Sequence, residues 1–514
     1  MVLDYNQMFG SECLYECLND LYEAGVNDDY FPLLYEANKE TYVAVQTPSG
    51  ITKRETMHEI VMQWDVLAPL ISSLQVDTTG KECLEEAKHL YLYKDKVAIP
   101  PLGLVDDLFT ITTCGYKTNL MNKFINTKSA MKKLQFGTNK CVKLHVGKSC
   151  NKTLCKDLHV DSWRLEVVTD PDTGLTYQKE IFAGQEQMQV KGEQMYLGDV
   201  VSADGKHDKN VLNRRNKSIG TINQIMEILN STYFGKYHFE VAMVLRSSLL
   251  LSSILLNSEA WVNLSNNNIR SLEQMDESLL SKILECEGNT SNAMKYLELG
   301  VYPIRFELKK RKILYLQYIL KQEKSSMIYQ VLKATCDYPT KNDFVKTCQQ
   351  YLDELDIKLS FEEIENMSKW TFKKLVKEKT KAAGLKYLMD QKGQQTKTSS
   401  VHYDDLKLQE YFIDGNCKKN ISQLIFKARS KTLDIKTQQK WKYADKICFG
   451  CKTKEESGNE ILICENLNKE NKDSVNPIVY DWFYKNTVSD IIEVGLLLDR
   501  GLKQREKIIE SGVT

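Results

Sequence analysis

Apolar positions recur at helical spacing over residues 12–25, where Leu14, Cys17, Leu18, Leu21 and Tyr22 share a face and Gly25 closes the run. That segment predicts an amphipathic helix. Thr41-Tyr42-Val43-Ala44-Val45 is β-like and runs into a turn signal, Thr47-Pro48-Ser49-Gly50. Pro100, Pro101 and Gly103 punctuate the approach to a short apolar strand, Leu104-Val105, which stops at Asp106-Asp107 before a second apolar run over 108–112. From about residue 210 the period becomes that of long helices, over 219–229, 239–256, 269–284 and 306–320. No internal repeat is visible. The pattern predicts an α+β front followed by helical regions.

Composition adds less than the charge distribution does. The 514 residues, 42% hydrophobic with 9 prolines, exclude collagenous, low-complexity and broadly disordered classes. The most apolar stretch, over 241–256, carries Arg246 and is too short to span a bilayer, so it predicts a buried helix. No secretory leader is visible, and the 14 cysteines form no dense framework, so an intracellular chain without a membrane partner is expected. The 69 basic and 69 acidic side chains cancel, but unevenly. Residues 1–100 hold 7 basic and 17 acidic groups, whereas 301–400 hold 20 and 12. Residues 116–156 carry ten lysines and no acid, which suggests a surface facing a polyanion.

Three aspartate pairs occur, at 28–29, 106–107 and 404–405, and only the middle one lies between two apolar runs. A strand–Asp-Asp–strand hairpin crowds like charges that a cation must neutralise, and hard divalent ions favour such oxygens together with substrate phosphates. A second strand ending in a carboxylate would complete a two-metal site, and Asp4 after Val2-Leu3 is the candidate.

These residues belong to an ordered set. Asp4-Tyr5-Asn6-Gln7-Met8-Phe9, Gln63-Trp64-Asp65-Val66-Leu67-Ala68-Pro69, Leu104-Val105-Asp106-Asp107, Gly137-Thr138-Asn139-Lys140-Cys141 and Tyr196-Leu197-Gly198 follow one another along the chain. Glu298-Leu299-Gly300-Val301-Tyr302-Pro303 and Lys309-Lys310-Arg311 come later. The series resembles the reverse transcriptases of non-long-terminal-repeat retrotransposons over roughly residues 1–465. The resemblance implies an α+β fold, a right-hand polymerase palm of antiparallel sheet and helices followed by a helical thumb and a helical C-terminal region. It implies an RNA-directed DNA polymerase acting on an RNA template, a DNA primer and deoxynucleoside triphosphates. Asp4 and Asp106 would hold two Mg²⁺ ions beside Asp107, Lys140 would stabilise the leaving pyrophosphate, Phe9 would exclude ribonucleotides, and Gln63 would line the nucleotide pocket.

The segments expected are a palm over 1–205, a thumb-like region over 206–330, a lysine-rich connector over 331–440 and a C-terminal segment over 441–514. Trp64 replaces the family's glycine, Gly10 replaces an aspartate, and only three residues precede Asp4. These departures predict a truncated copy with impaired activity, its fingers or an endonuclease segment encoded upstream. The alternative is a non-catalytic nucleic-acid-binding remnant. Cys448, Cys451 and Cys464, with Glu460 in the place of the family's histidine, form a zinc-knuckle-like set, with unligated thiols as the competing reading. Lys373, Lys374, Lys377, Lys379 and Lys381 read equally as a phosphate-contacting surface or a solvated helix face.

Overall fold

The computed structural model describes residues 1–5, 14–26, 29–44, 46–48, 50–58, 68–87, 89–104, 107–132, 134, 136–137, 140–144, 159–169, 176–187, 189–340, 343–394, 402–440, 442–472, 483–484 and 487–511. The chain is mixed α and β, with long helices and small, mainly antiparallel sheets. It divides into two compact units, 1–210 with 322–340, and 211–321 with 341–514.

In the first unit the chain order is β1 (Val2–Asp4), α1 (Leu14–Glu23), α2 (Ala68–Ala87), β2 (Leu102–Leu104), β3 (Asp107–Phe109), α3 (Gly115–Met131), β4 (Val142–Leu144) and β5 (Gln189–Lys191). The five strands form one sheet in the order β5-β4-β1-β3-β2, antiparallel except for the β4–β5 pair. Setting aside α1, the helix Phe31–Lys39 and the short strands over 40–58 and 92–98, the path β1-α2-β2-β3-α3-β4 is a β-α-β-β-α-β arrangement with β1 central in the sheet. Strand periodicity sends alternate residues to opposite faces. Leu3, Tyr5 and Leu108 therefore meet Val76 and Cys83 of α2 and Met121 and Ile125 of α3 in a common core. Gly103 has to be glycine for α2 to lie this close, since a Cβ there would stand 2.2 Å from Val76 Cγ1.

The helix expected over 12–25 forms as α1, and Cys17, Leu18 and Leu21 pack on Ala68 and Ile71 of α2. Tyr22 departs from that face: it is exposed, with its ring edge-on to Phe31. The β-like stretch holds over Glu40–Val43, which pairs with Glu55–His58, and the turn signal closes the small hairpin Gln46–Thr47/Gly50–Ile51.

The second unit contains α4 (Asn266–Leu284), α5 (Asn292–Glu298), α6 (Ile304–Leu320), α7 (Lys369–Gly393), α8 (Lys419–Arg429), α9 (Gly458–Ile463), α10 (Glu465–Lys472, interrupted at Asn468) and α11 (Val488–Glu510). The apolar 241–256 run is helical as far as Ile254, with a π-helical turn over Arg246–Leu250, and it is buried on one side only: Ala242, Leu250, Leu251 and Ile254 are in the core, whereas Val244 and Leu256 are exposed. Its one charge is paired: Arg246 Nε and Nη2 donate to Asp276 Oδ1 and Oδ2 at 2.6 and 2.7 Å, and Tyr296 donates to the same carboxylate at 3.0 Å. No helix among the described residues is long and apolar enough to cross a membrane.

A second buried carboxylate organises the turn after α5. Glu298, fully buried, accepts from Arg429 Nε at 2.7 Å, Tyr403 at 2.5 Å and Tyr411 at 2.8 Å, while Arg429 Nη1 donates to Phe483 O at 2.6 Å. Two residues on, Gly300 sits at φ +68°, and a Cβ there would lie 2.2 Å from the Lys407–Leu408 backbone. The Glu298–Gly300 sequence thus serves close packing of the 403–411 segment.

Burial, aided by the Lys419 charge and opposed by Glu285, holds the His238 imidazole down to about 4. At pH 7 the ring is neutral whether the chain is folded or not. Between about pH 6.5 and 4 the unfolded chain takes up a proton that the folded one refuses, so stability falls across that window. His238→Gln should reduce the fall in unfolding free energy across that window, read from urea curves, by up to about 3 kcal/mol; equal pH slopes for both proteins would refute the assignment.

Candidate active site and metal centre

Asp4 stands directly opposite Asp107 in the β1–β3 ladder, and Asp107 opposite Leu104 in the β2–β3 hairpin. Directly opposed residues point to the same side of a sheet with Cβ atoms about 5 Å apart. Because Leu3 and Leu108 face the helices, Asp4 and Asp107 face away from them. Lys140, held by a turn in which its N–H and that of Cys141 both donate to Gly137 O, reaches Asp4 Oδ1 at 3.0 Å. The Asp4 backbone is fixed in turn: its carbonyl accepts from Gly137 N at 2.8 Å, and the next residue, Tyr5, stacks on Phe136 at 4.4 Å. The structure therefore brings together Asp4, Asp107 and Lys140. Phe9, Gln63, Trp64 and Asp106 lie outside the described residues.

The Tyr196-Leu197-Gly198 segment is the tip of a hairpin, β6 (Glu193–Tyr196) with β7 (Asp199–Ser202). Leu197 at φ +45° and Gly198 at φ +82° form the two-residue turn whose twist suits a hairpin. Tyr196 packs on Phe109 at 5.1 Å and donates to Leu102 O at 3.3 Å, which fastens this hairpin to β2 and β3. Burial first, then the Asp107 charge, pushes its phenol up to about 12. Neither contact was signalled by spacing, since 86 residues or more separate the partners in sequence.

Three lysines in the described part of the 116–156 run have acidic partners. Lys128 meets Glu82 at 3.2 Å, Lys132 is buried against Asp20 at 3.3 Å, and Lys140 meets Asp4. The acids come from the acidic front of the chain, so at these three positions the lysine charge is balanced within the chain.

The cysteine set does converge. One ligand atom from each of Cys448, Cys451, Glu460 and Cys464 lies within 4.8 Å of all the others. Cys448 Sγ and Cys464 Sγ are 4.0 Å apart, and Cys451 Sγ donates to Glu460 Oε1 at 3.3 Å. Tetrahedral zinc with Zn–S bonds near 2.3 Å separates its sulfurs by about 3.8 Å. Backbone N–H groups are aimed at each sulfur: those of Gly450 and Cys451 at Cys448, of Thr453 and Lys454 at Cys451, and of Asn466 and Leu467 at Cys464. Such donors favour thiolate. Gly450 is required here, because a Cβ would lie 2.8 Å from Cys464 Sγ. The loop is anchored by Glu456, whose buried carboxylate meets Arg505 of α11 at 3.0 Å and accepts from Lys436 N at 3.0 Å. Three sulfurs and a carboxylate fit a divalent, borderline-soft ion.

The chain matches no protein-family model and no curated protein sequence.

Proposed function

We propose that the first unit is the palm of an RNA-directed DNA polymerase and that the chain is a mobile-element reverse transcriptase with its helical second unit in the place of thumb and C-terminal region. One observation carries the reading. Asp4 and Asp107 occupy opposed positions on the face of a β-α-β-β-α-β sheet turned away from α2 and α3, one closing β1 and the other opening β3. Asp4 and Asp106, with Asp107 beside them, would hold Mg²⁺, which supplies Lewis acidity to the attacking hydroxyl and the leaving pyrophosphate. Lys140 is placed to balance negative charge at Asp4 and, with phosphates present, at the triphosphate. The Tyr196 hairpin packs on β2 and β3 and so fixes the carboxylate-bearing hairpin against the sheet. Zinc held by Cys448, Cys451, Glu460 and Cys464 would be structural, since all four positions of its tetrahedron would be filled by protein.

A second reading, a non-catalytic nucleic-acid binder, is favoured by the Lys140–Asp4 pair, which neutralises Asp4 with the chain's own cation. Manganese binding followed by electron paramagnetic resonance separates the two. The polymerase reading expects Mn²⁺ to bind the zinc-loaded chain, more tightly with a deoxynucleoside triphosphate present, and expects Asp4→Asn to remove that coupling. Nucleic-acid binding without any Mn²⁺–nucleotide coupling would support the second reading.

A further inference from the structure

The helix α7 carries a feature that the carboxylate site does not use. Phe372 and Val376 are its buried side, fixing the opposite face of the first turns outward. On that outward face stand Trp370, Lys373, Lys374 and Lys377, spaced i, i+3, i+4 and i+7, which is one stripe about 10 Å long. Trp370 is 73% exposed, the largest side chain a folded chain would ordinarily cover. Lys374 leans over one face of its indole at 5.5 Å. Further along, Lys379 and Lys381 are tied to Asp356 and Asp405 at 2.7 and 2.8 Å, so those two lysines are neutralised within the unit. The charge of the stripe is thus concentrated in its first two turns, around the indole.

We propose that this stripe binds single-stranded nucleic acid, an unpaired base stacking on Trp370 while Lys373, Lys374 and Lys377 contact the flanking phosphates. An indole standing among lysines gives a strand both of its recognition elements, a stacking platform and a cationic track. A duplex offers no free base face to the ring. A lipid surface would need an apolar face, and apart from Trp370 the outward stripe is cationic. The proposal deepens the nucleic-acid reading with a second contact surface and does not depend on metal at Asp4.

The test is fluorescence anisotropy of a labelled oligothymidylate of about 20 nucleotides with the full chain, across a salt series. Trp370→Ala should weaken binding about 5–100-fold and leave the salt slope unchanged. The triple variant K373E/K374E/K377E should weaken binding at low salt and flatten the slope of log K against log salt by about 2. The titrations are run without divalent metal or nucleotide, so a failed polymerase reading, seen as absent Mn²⁺–nucleotide coupling, and a failed stripe, seen here, are told apart. Parental affinity and slope in both stripe variants would overturn the proposal. So would loss of binding to anionic vesicles in those variants with oligonucleotide binding intact.

Discussion

Glu298→Ala should lower the stability of the second unit by about 3–5 kcal/mol, seen as a large drop in its urea midpoint. The carboxylate is fully buried and is the shared acceptor for Arg429, Tyr403 and Tyr411. Removing it takes the counter-charge from a buried guanidinium that keeps the Phe483 carbonyl at 2.6 Å, and takes the shared carboxylate acceptor from two phenols. An unpaired buried charge costs more than the pair contributed. The double variant Glu298→Leu with Arg429→Leu should therefore recover a substantial part of the loss. Burial drives the Tyr403 and Tyr411 hydroxyls well above their usual range, with the Glu298 charge adding to it, so both remain donors at any ordinary pH. A loss below about 1 kcal/mol for Glu298→Ala would mean that the network is solvated.

The second large effect is expected at the cysteine cluster. Purified protein should carry one zinc, and stripping it with a strong chelator should lower the melting temperature of the second unit by roughly 10 °C, the shift expected for about 3–5 kcal/mol in a unit of this size. The reason is connectivity. Cys448 and Cys451 lie in a loop, Glu460 is in α9, and Cys464 caps it, while Glu456 of the same loop holds Arg505 of α11. Without an ion, burial pushes the Cys448 thiol up to about 12, and the loop is left with its backbone bonds, among them Cys448 N to Lys454 O at 2.8 Å. Cys448→Ser should lose the metal and melt like the stripped parent. A zinc-free preparation with an unchanged melt after chelation would remove the centre.

How far these sites could be read in advance differs by residue. The sequence pointed to Asp4 with Asp106, which lies outside the described residues; that Asp107 stands opposite Asp4 comes from the strand register, which is fixed because a one-residue slip would turn Leu3 and Leu108 away from the helices. The cysteine set was legible from its C-x-x-C spacing, although nothing in the spacing showed that the Glu460 carboxylate turns toward Cys451. The pairing of Lys128, Lys132 and Lys140 was not legible, because their partners, Glu82, Asp20 and Asp4, lie far away along the chain. Arg246 was visible as a charge in an apolar run, but Asp276 was one of many acids and only the fold selects it. Glu298 was hidden in the same way. Tyr22 fitted a helical stripe wider than the surface α2 offers, so its ring stays in solvent.

The central claim rests on the carboxylate face, and primer extension reads it directly. The full chain and its Asp4→Asn variant would be given a DNA primer on an RNA template, the four deoxynucleoside triphosphates and Mg²⁺, under single-turnover conditions. The account predicts weak but template-dependent extension by the parent and none above background in the variant. Equal extension by both proteins, or none by a parent that still binds the primed template, would contradict it.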